Sequence, residues 1–566
     1  MKKIITLLIL IAFSIGLHAQ APAKYWVQFK DKEGTGYSVK HPEEFLSPRA
    51  IEKRQRFNIK ITEEDLPVSE RYIQQLLAID SKMVLLNKSK WLNGVTVYTT
   101  TKDIAEQIRK LDFVTQCECT VQLDAEEKFD YPLRPYTPPE QTKSVIETPA
   151  YGSDFLYGYA GWQLGANRGQ WLHRLGAYGE GMLMVVMDVG FHNVNTMSAF
   201  QALRDEGRLL GTKNFVFPGR SVFISGSHGT EVLSCIAAYM PDKIIGTAPK
   251  ASFYLAKTED SRSENKIEED NWVAGLEWAD SLGCDVLSSS LGYSKFDNTK
   301  QSYHYEEMNG KVSRSSIAAS MAASRGIIVC VSAGNEGNDQ WHYITCPADA
   351  NDILTIGAVD RDYDIAQFSS FGPTSDGRVK PDGLAIGSQA VVVTPENKIE
   401  TSYGTSFSAP IFAGMVTCLW QLFPDKTATE VIDAIRRAGP RYSDPDDHYG
   451  YGLTNFVTAY NHLARPSDAS VLVAFNTASH TSSCNGIYYA NSAIRTFTVQ
   501  VSIDGKPVGG NQVIRVKGKT VGDYRLSKFK VKIPKCPEGH DYAIAKVQII
   551  CPEGIRYEQI IGLTNK

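Results

Sequence analysis

Five apolar runs in the middle of the chain constrain its fold more than any other feature: "MLMVVMD" (182–188), "ASFYLAK" (251–257), "CDVLSSSLG" (284–292), "GIIVCVSAGN" (326–335) and "ILTIGAV" (353–359). None alternates apolar with polar residues, so each reads as a strand covered on both faces, the habit of parallel sheets. Parallel strands need long crossovers, and helical patterns fill the gaps, notably at 268–281 and 315–324. The expected class is α/β, with a doubly wound, mostly parallel sheet over 158–465. Ligands of such sheets bind outside the carboxyl ends of the strands, so the residues that close these runs are the ones to inspect.

The flanks differ in pattern. Residues 1–19 have two lysines, a short apolar run from Ile4 to Leu17 and Leu17-His18-Ala19, the layout of a secretory signal cut after Ala19. No later stretch is long and apolar enough to span a membrane. Over 20–125 the strand-like "KYWVQF", "KMVLLN", "NGVTVYT" and "VTQCECTVQL" interleave with helical patterns at 44–57, 69–79 and 102–111, which predicts a ferredoxin-like α+β unit. Five prolines between Pro132 and Pro149 mark 126–157 as an extended linker. From 467 to 566 short strands alternate with Gly, Pro and Asn turns, the pattern of an all-β sandwich.

With 566 residues and 43% hydrophobic content the chain has room for several soluble domains. A net charge of −4 argues against a nucleic-acid partner. Cys235, Cys284, Cys330 and Cys418 lie in apolar runs and read as buried free thiols. Cys117 and Cys119 share a strand face, while Cys484, Cys536 and Cys551 are the disulfide candidates, with their pairing open.

Four residues carry candidate chemistry. Asp188 closes the first central run, as either a turn former beside Gly190 or an acid at the sheet's carboxyl edge. His228 opens a helix in "GSHGTEVLSCIAA" as a cap or a base; no second His follows on that face, so a zinc motif fails. Ser406 lies in "YGTSFSAPIF", where a helix begins close to Pro410, and a helix N-terminus offers unpaired N–H groups to a developing negative charge. Asn335, in "SAGNEG", stands just beyond a strand end. Serine attack on a carbonyl needs a base, an acid that orients the base, and donors for the oxyanion. These four residues supply that set, while Ser408 has no role and reads as structural.

The order Asp…His…Ser is that of subtilisin, and the motifs "VVMDVGF", "HGTEV", "GTSFSAP", "SAGNEG" and "SSLG" resemble those of the subtilisin-like serine proteases. "FSSFGP" (368–373) and "KPDG" (380–383) are further family-like segments. Two positions depart from the family pattern: Val189 where Thr is usual, and Glu231 where a second His is common. The resemblance, to secreted bacterial members with an N-terminal propeptide, implies a serine endopeptidase that acts on polypeptides. Ser289, Ser290, Leu291 and Gly292, with Ser332, Ala333 and Gly334, would flank the pocket for the residue before the cut. Residues 20–125 would be a propeptide acting as an intramolecular inhibitor, against the alternative of a permanent accessory domain. It implies an exported monomer whose chemistry needs no cofactor and no catalytic metal. Family members often hold structural calcium, but no contiguous calcium loop is present. Two alternatives remain at this point: a non-catalytic binding protein on a protease scaffold with the β-sandwich as its working surface, and a narrow processing protease or esterase.

Overall fold

The computed structural model describes residues 22–122, 146, 155–464, 471–475, 483–491, 496–515, 519–521, 524–533, 535–540, 542–550 and 556–564. The expected signal segment therefore lies outside the described residues, as does most of the expected linker. Where the linker is described, Ile146, Phe155 and Tyr157 are buried among the apolar residues of the central unit, while Leu156 is exposed. Among the described residues no helix is long and apolar enough to cross a membrane.

A seven-stranded parallel sheet forms the centre. Its order is Gly383–Ile386, Leu354–Val359, Ile328–Ser332, Val286–Ser289, Leu183–Asp188, Ser252–Lys257 and Leu209–Asn214. All five apolar runs are strands of it. The two strands the runs did not announce are its edges, Leu209–Asn214, half exposed and polar toward its end, and the four-residue Gly383–Ile386. Burial on both faces is complete for Leu183–Asp188, Ile328–Ser332 and Leu354–Val359. Alternate residues of one strand feed two cores: Met184 and Val186 join one, Val185 and Met187 the other. Helices Ser227–Ala237 and Thr405–Gln421 pack together on the first side, and Ile267–Leu282 and Arg314–Ala322 on the second. From Leu183–Asp188 the chain winds first toward Leu209–Asn214 and then, from Val286 on, the other way. The strand order thus reverses between Leu183–Asp188 and Val286–Ser289, and the crevice such a reversal opens lies at their carboxyl ends.

The N-terminal unit is a four-stranded antiparallel sheet in the order Val84–Ser89, Gly94–Thr99, Ala23–Phe29, Val114–Gln122, with helices Pro48–Arg56, Glu70–Leu77 and Ile104–Ile108 between the strands. This is the split βαβ arrangement expected from the sequence. The unit sits on helix Ile267–Leu282. Beyond 470 the chain forms two antiparallel sheets, of four and five strands. The five-stranded one meets the central unit at Trp171, whose indole N–H donates to Ala543 O at 3.0 Å, and at Asn461, which exchanges two hydrogen bonds with the Ile560 backbone. Cys235, Cys284, Cys330 and Cys418 are buried free thiols, as expected. Of the three disulfide candidates, Cys536 is buried with its Sγ donating to His540 O at 3.5 Å and forms no disulfide, while the side chains of Cys484 and Cys551 are outside the described residues.

Candidate active site

The switch point collects the candidate residues. Asp188 ends the central strand and is fully buried; its Oδ1 accepts from the Val189 N–H at 2.8 Å and from His228 Nδ1 at 2.8 Å. An imidazole that donates from Nδ1 to a carboxylate keeps its proton there and presents Nε2 as the basic nitrogen. His228 reaches Asp188 because Gly229 follows it. A Cβ at position 229 would lie 2.2 Å from Gly190 O and 2.8 Å from Asp188 Cβ, so only glycine lets the helix start so close. Burial pulls the His228 pKa down, but the Asp188 carboxylate and its hydrogen bond outweigh that, with Glu231 adding to them, and the net shift is upward. Burial likewise raises the Glu231 carboxyl, with Glu400 adding to the shift.

Ser406 is the second residue of helix Thr405–Gln421 and is nearly buried, 8% exposed. Gly404 precedes the helix at φ +143°, a conformation other residues rarely adopt, and as the N-cap it has no side chain to cap the first turn. Of the first N–H groups, that of Thr405 goes to Asn335 and that of Phe407 to Gly404 O, which leaves the Ser406 N–H without an intrahelical acceptor and available to a ligand. Asn335 is exposed, and its Oδ1 accepts from the Thr405 N–H at 2.8 Å and from Thr405 Oγ1 at 3.0 Å. Two donors on Oδ1 fix the amide so that Nδ2 is the group left to donate. Its loop is held by "FSSFGP": Ser370 N donates to Gly334 O, Gly337 N to Phe368 O, and Ser370 Oγ to Glu336 Oε2.

A cavity of about 550 Å³ joins these groups; His228, Ser406 and Asn335 line it together with Ser290, Leu291, Gly292, Ser332 and Gly334. Two residues expected at the pocket are not in its wall. Ser289 is fully buried with its hydroxyl accepting from the Trp272 indole at 2.9 Å, and Ala333 lies in the core on the same side of the sheet. Strand alternation explains this, since neighbours of cavity-facing residues point the other way. Ser408 donates to Thr405 O at 3.0 Å inside the helix, in keeping with a structural role.

Among the described residues His228 and Ser406 share no hydrogen bond. The Ser406 hydroxyl faces Ser290 O at 3.5 Å, and the Phe407 ring lies tilted beside the imidazole. Such contacts are commonly long before substrate is bound. Sequence reasoning missed Thr405, which orients Asn335, and the acids of 259–268 that line another part of the cavity. Glu259 and Glu268 are buried there, and burial, with the Glu264 charge adding to it, pushes both carboxyls upward. Only the run of acids in "TEDSRSENKIEED" signalled them, and helix caps or surface charge would give the same run.

Residues 181–452 match the model of the Subtilase family, and residues 24–131 that of the Peptidase S8 propeptide domain of Bacteroidota. Serine protease AprX of Bacillus subtilis (strain 168) is 28% identical over 309 residues, 49% of this chain and 65% of its own length. Subtilisin DY of Bacillus licheniformis is 28% identical over 255 residues, 44% of this chain and 84% of its own. A thermostable alkaline protease of Halalkalibacterium halodurans is 24% identical over 295 residues, 52% of this chain and 72% of its own.

Proposed function

We propose, from the premise that residues 181–452 are a subtilase domain behind a propeptide domain, that the protein is a serine endopeptidase made as a zymogen and exported. The observation that carries the reading is that His228, Ser406 and Asn335, from three separate segments, line one cavity at the sheet's switch point, with Asp188 buried behind His228 and bonded to it.

In this reading the neutral His228 takes the Ser406 proton through Nε2 as Oγ attacks the scissile carbonyl. Asp188 holds the Nδ1 proton and stabilises the imidazolium that forms. The Ser406 N–H and the Asn335 Nδ2 donate to the oxyanion. His228 then protonates the leaving amine, and water hydrolyses the acyl-enzyme by the same steps in reverse. The reaction needs no cofactor. The Ser406 hydroxyl swings from Ser290 O to Nε2 as substrate enters, a rotation about one bond. Val189 and Glu231 are compatible with this chemistry: Val189 contributes its backbone N–H to Asp188, and Glu231 adds negative potential beside His228.

The N-terminal unit, seated on helix Ile267–Leu282, acts in this reading as the intramolecular inhibitor that processing removes. Ser406→Ala tests the whole reading. It is expected to abolish casein and peptide hydrolysis and to leave a secreted protein that mass spectrometry finds uncut between residues 123 and 157. Residual hydrolysis by the purified variant would refute it.

A further inference from the structure

The nucleophile's own carbonyl raises a question of backbone accounting. Pro410 is the sixth residue of helix Thr405–Gln421, well inside it rather than at its start. Proline has no N–H, so the residue four places earlier loses its intrahelical donor, and that residue is Ser406. Its carbonyl is nevertheless satisfied: Ser290 Oγ donates to Ser406 O at 2.7 Å. Ser290 is 6% exposed and is the first residue beyond strand Val286–Ser289, next to the strand that Asp188 ends. The contact is reciprocal, because the Ser406 hydroxyl faces Ser290 O at 3.5 Å.

We infer that Ser290 is a positioning residue for the nucleophile, in addition to lining the cavity: its hydroxyl replaces the helical N–H that Pro410 lacks and ties the Ser406 backbone to the sheet. The inference rests on the reading of Ser406 as the nucleophile. The backbone around Ser406 is then held from two sides, through Asn335 Oδ1 on the Thr405 N–H and through Ser290 Oγ on the Ser406 carbonyl. This fixes the direction of the Cα–Cβ bond, and with it the side from which Oγ is offered to the base. Without the Ser290 hydroxyl a nearly buried carbonyl is left unpaired, and the first turn shifts to find another donor.

A double-mutant cycle tests this. Ser290→Ala is expected to lower kcat and the rate of fluorophosphonate labelling about tenfold, the scale of one lost buried hydrogen bond, with KM changed less than about twofold. Pro410→Ala restores a backbone N–H at position 410. On that background the Ser290→Ala loss is expected to shrink to about threefold or less, since a helical donor again reaches Ser406 O. Equal losses on both backgrounds, or a loss carried by KM alone, would overturn the inference. Where Ser290→Ala yields too little folded protein, Ser290→Cys, which keeps a weak donor, is compared on the same two backgrounds. There the same shrinkage supports the inference and its absence overturns it. A wild-type enzyme that the probe does not label sinks the serine-protease reading itself, whereas a labelled enzyme indifferent to Ser290 sinks only this inference.

Discussion

Among the buried carboxylates of this chain, Asp188 and the pair Glu277 and Asp280 are buried differently. Asp188 lies beneath the candidate active site, fully enclosed, with its partner His228 supplied by the same unit. Glu277 and Asp280 lie on helix Ile267–Leu282 and are covered by the N-terminal unit. Glu277 accepts from Ser89 Oγ, the Lys90 N–H and the Trp91 N–H, and Asp280 pairs with Lys90 and Arg54. Removing the N-terminal unit returns Glu277 and Asp280 to water, where a carboxylate is well solvated. No comparable step exposes Asp188. Asp188, paired within its own unit, stays buried in the proposed mature enzyme, while charges paired across the seam let two units hold firmly and still part as soluble pieces.

Substituting one carboxylate from each set is the sharpest way to break the contrast. Asp188→Asn keeps the shape but no longer fixes the His228 proton on Nδ1, and is expected to lower kcat by about four orders of magnitude. Affinity for the N-terminal unit added in trans should be unchanged in that variant. An equal loss of that affinity would merge the two sets. Asn335→Ala is next in size, with kcat expected to fall by about two to three orders of magnitude if its amide holds the oxyanion. Single-turnover kinetics on a peptide ester reads this directly, and an unaltered rate removes Asn335 from the site.

On the other side of the contrast, Glu277→Ala abandons three donors of the N-terminal unit. It is expected to weaken the unit's binding by ~2 kcal/mol, about thirtyfold, while the mature enzyme's kcat stays the same. Titration calorimetry with the separately produced unit checks it, and a drop in kcat would show that the seam and the cleft are not independent. The smallest effect concerns pH. Catalysis needs neutral His228, and its raised pKa means that the proton is taken up at a higher pH than by a free imidazole. The acid limb of kcat/KM should therefore lie above about pH 6.5. Replacing Glu231 by Gln should move it down, because the Glu231 charge adds to the shift. A limb that stays put after that change would remove Glu231 from the electrostatics of the site.

Legibility in the sequence followed how local the cause was. The five central runs were readable because strands covered on both faces have no polar side to disguise them. The edge strands Leu209–Asn214 and Gly383–Ile386 were not, being half wet in one case and four residues long in the other. The catalytic candidates were readable because each closes a strand or opens a helix beside glycine. What the sequence concealed is who satisfies whom across it. Thr405 holding Asn335, Ser289 turned into the core and Ser290 bonded to the Ser406 carbonyl are contacts between residues 17 to 116 positions apart. Even Pro410 was visible as a proline near a helix start, yet its consequence depended on where the helix begins.

The central claim is that one hydroxyl at a helix start, and not its neighbour two residues on, is the nucleophile. Labelling the mature protein with a fluorophosphonate and sequencing the modified peptide tests this most directly. A single adduct is expected within "YGTSFSAPIF", on Ser406, and it is lost in His228→Ala. An adduct on Ser408, or equal labelling when His228 is gone, would contradict it.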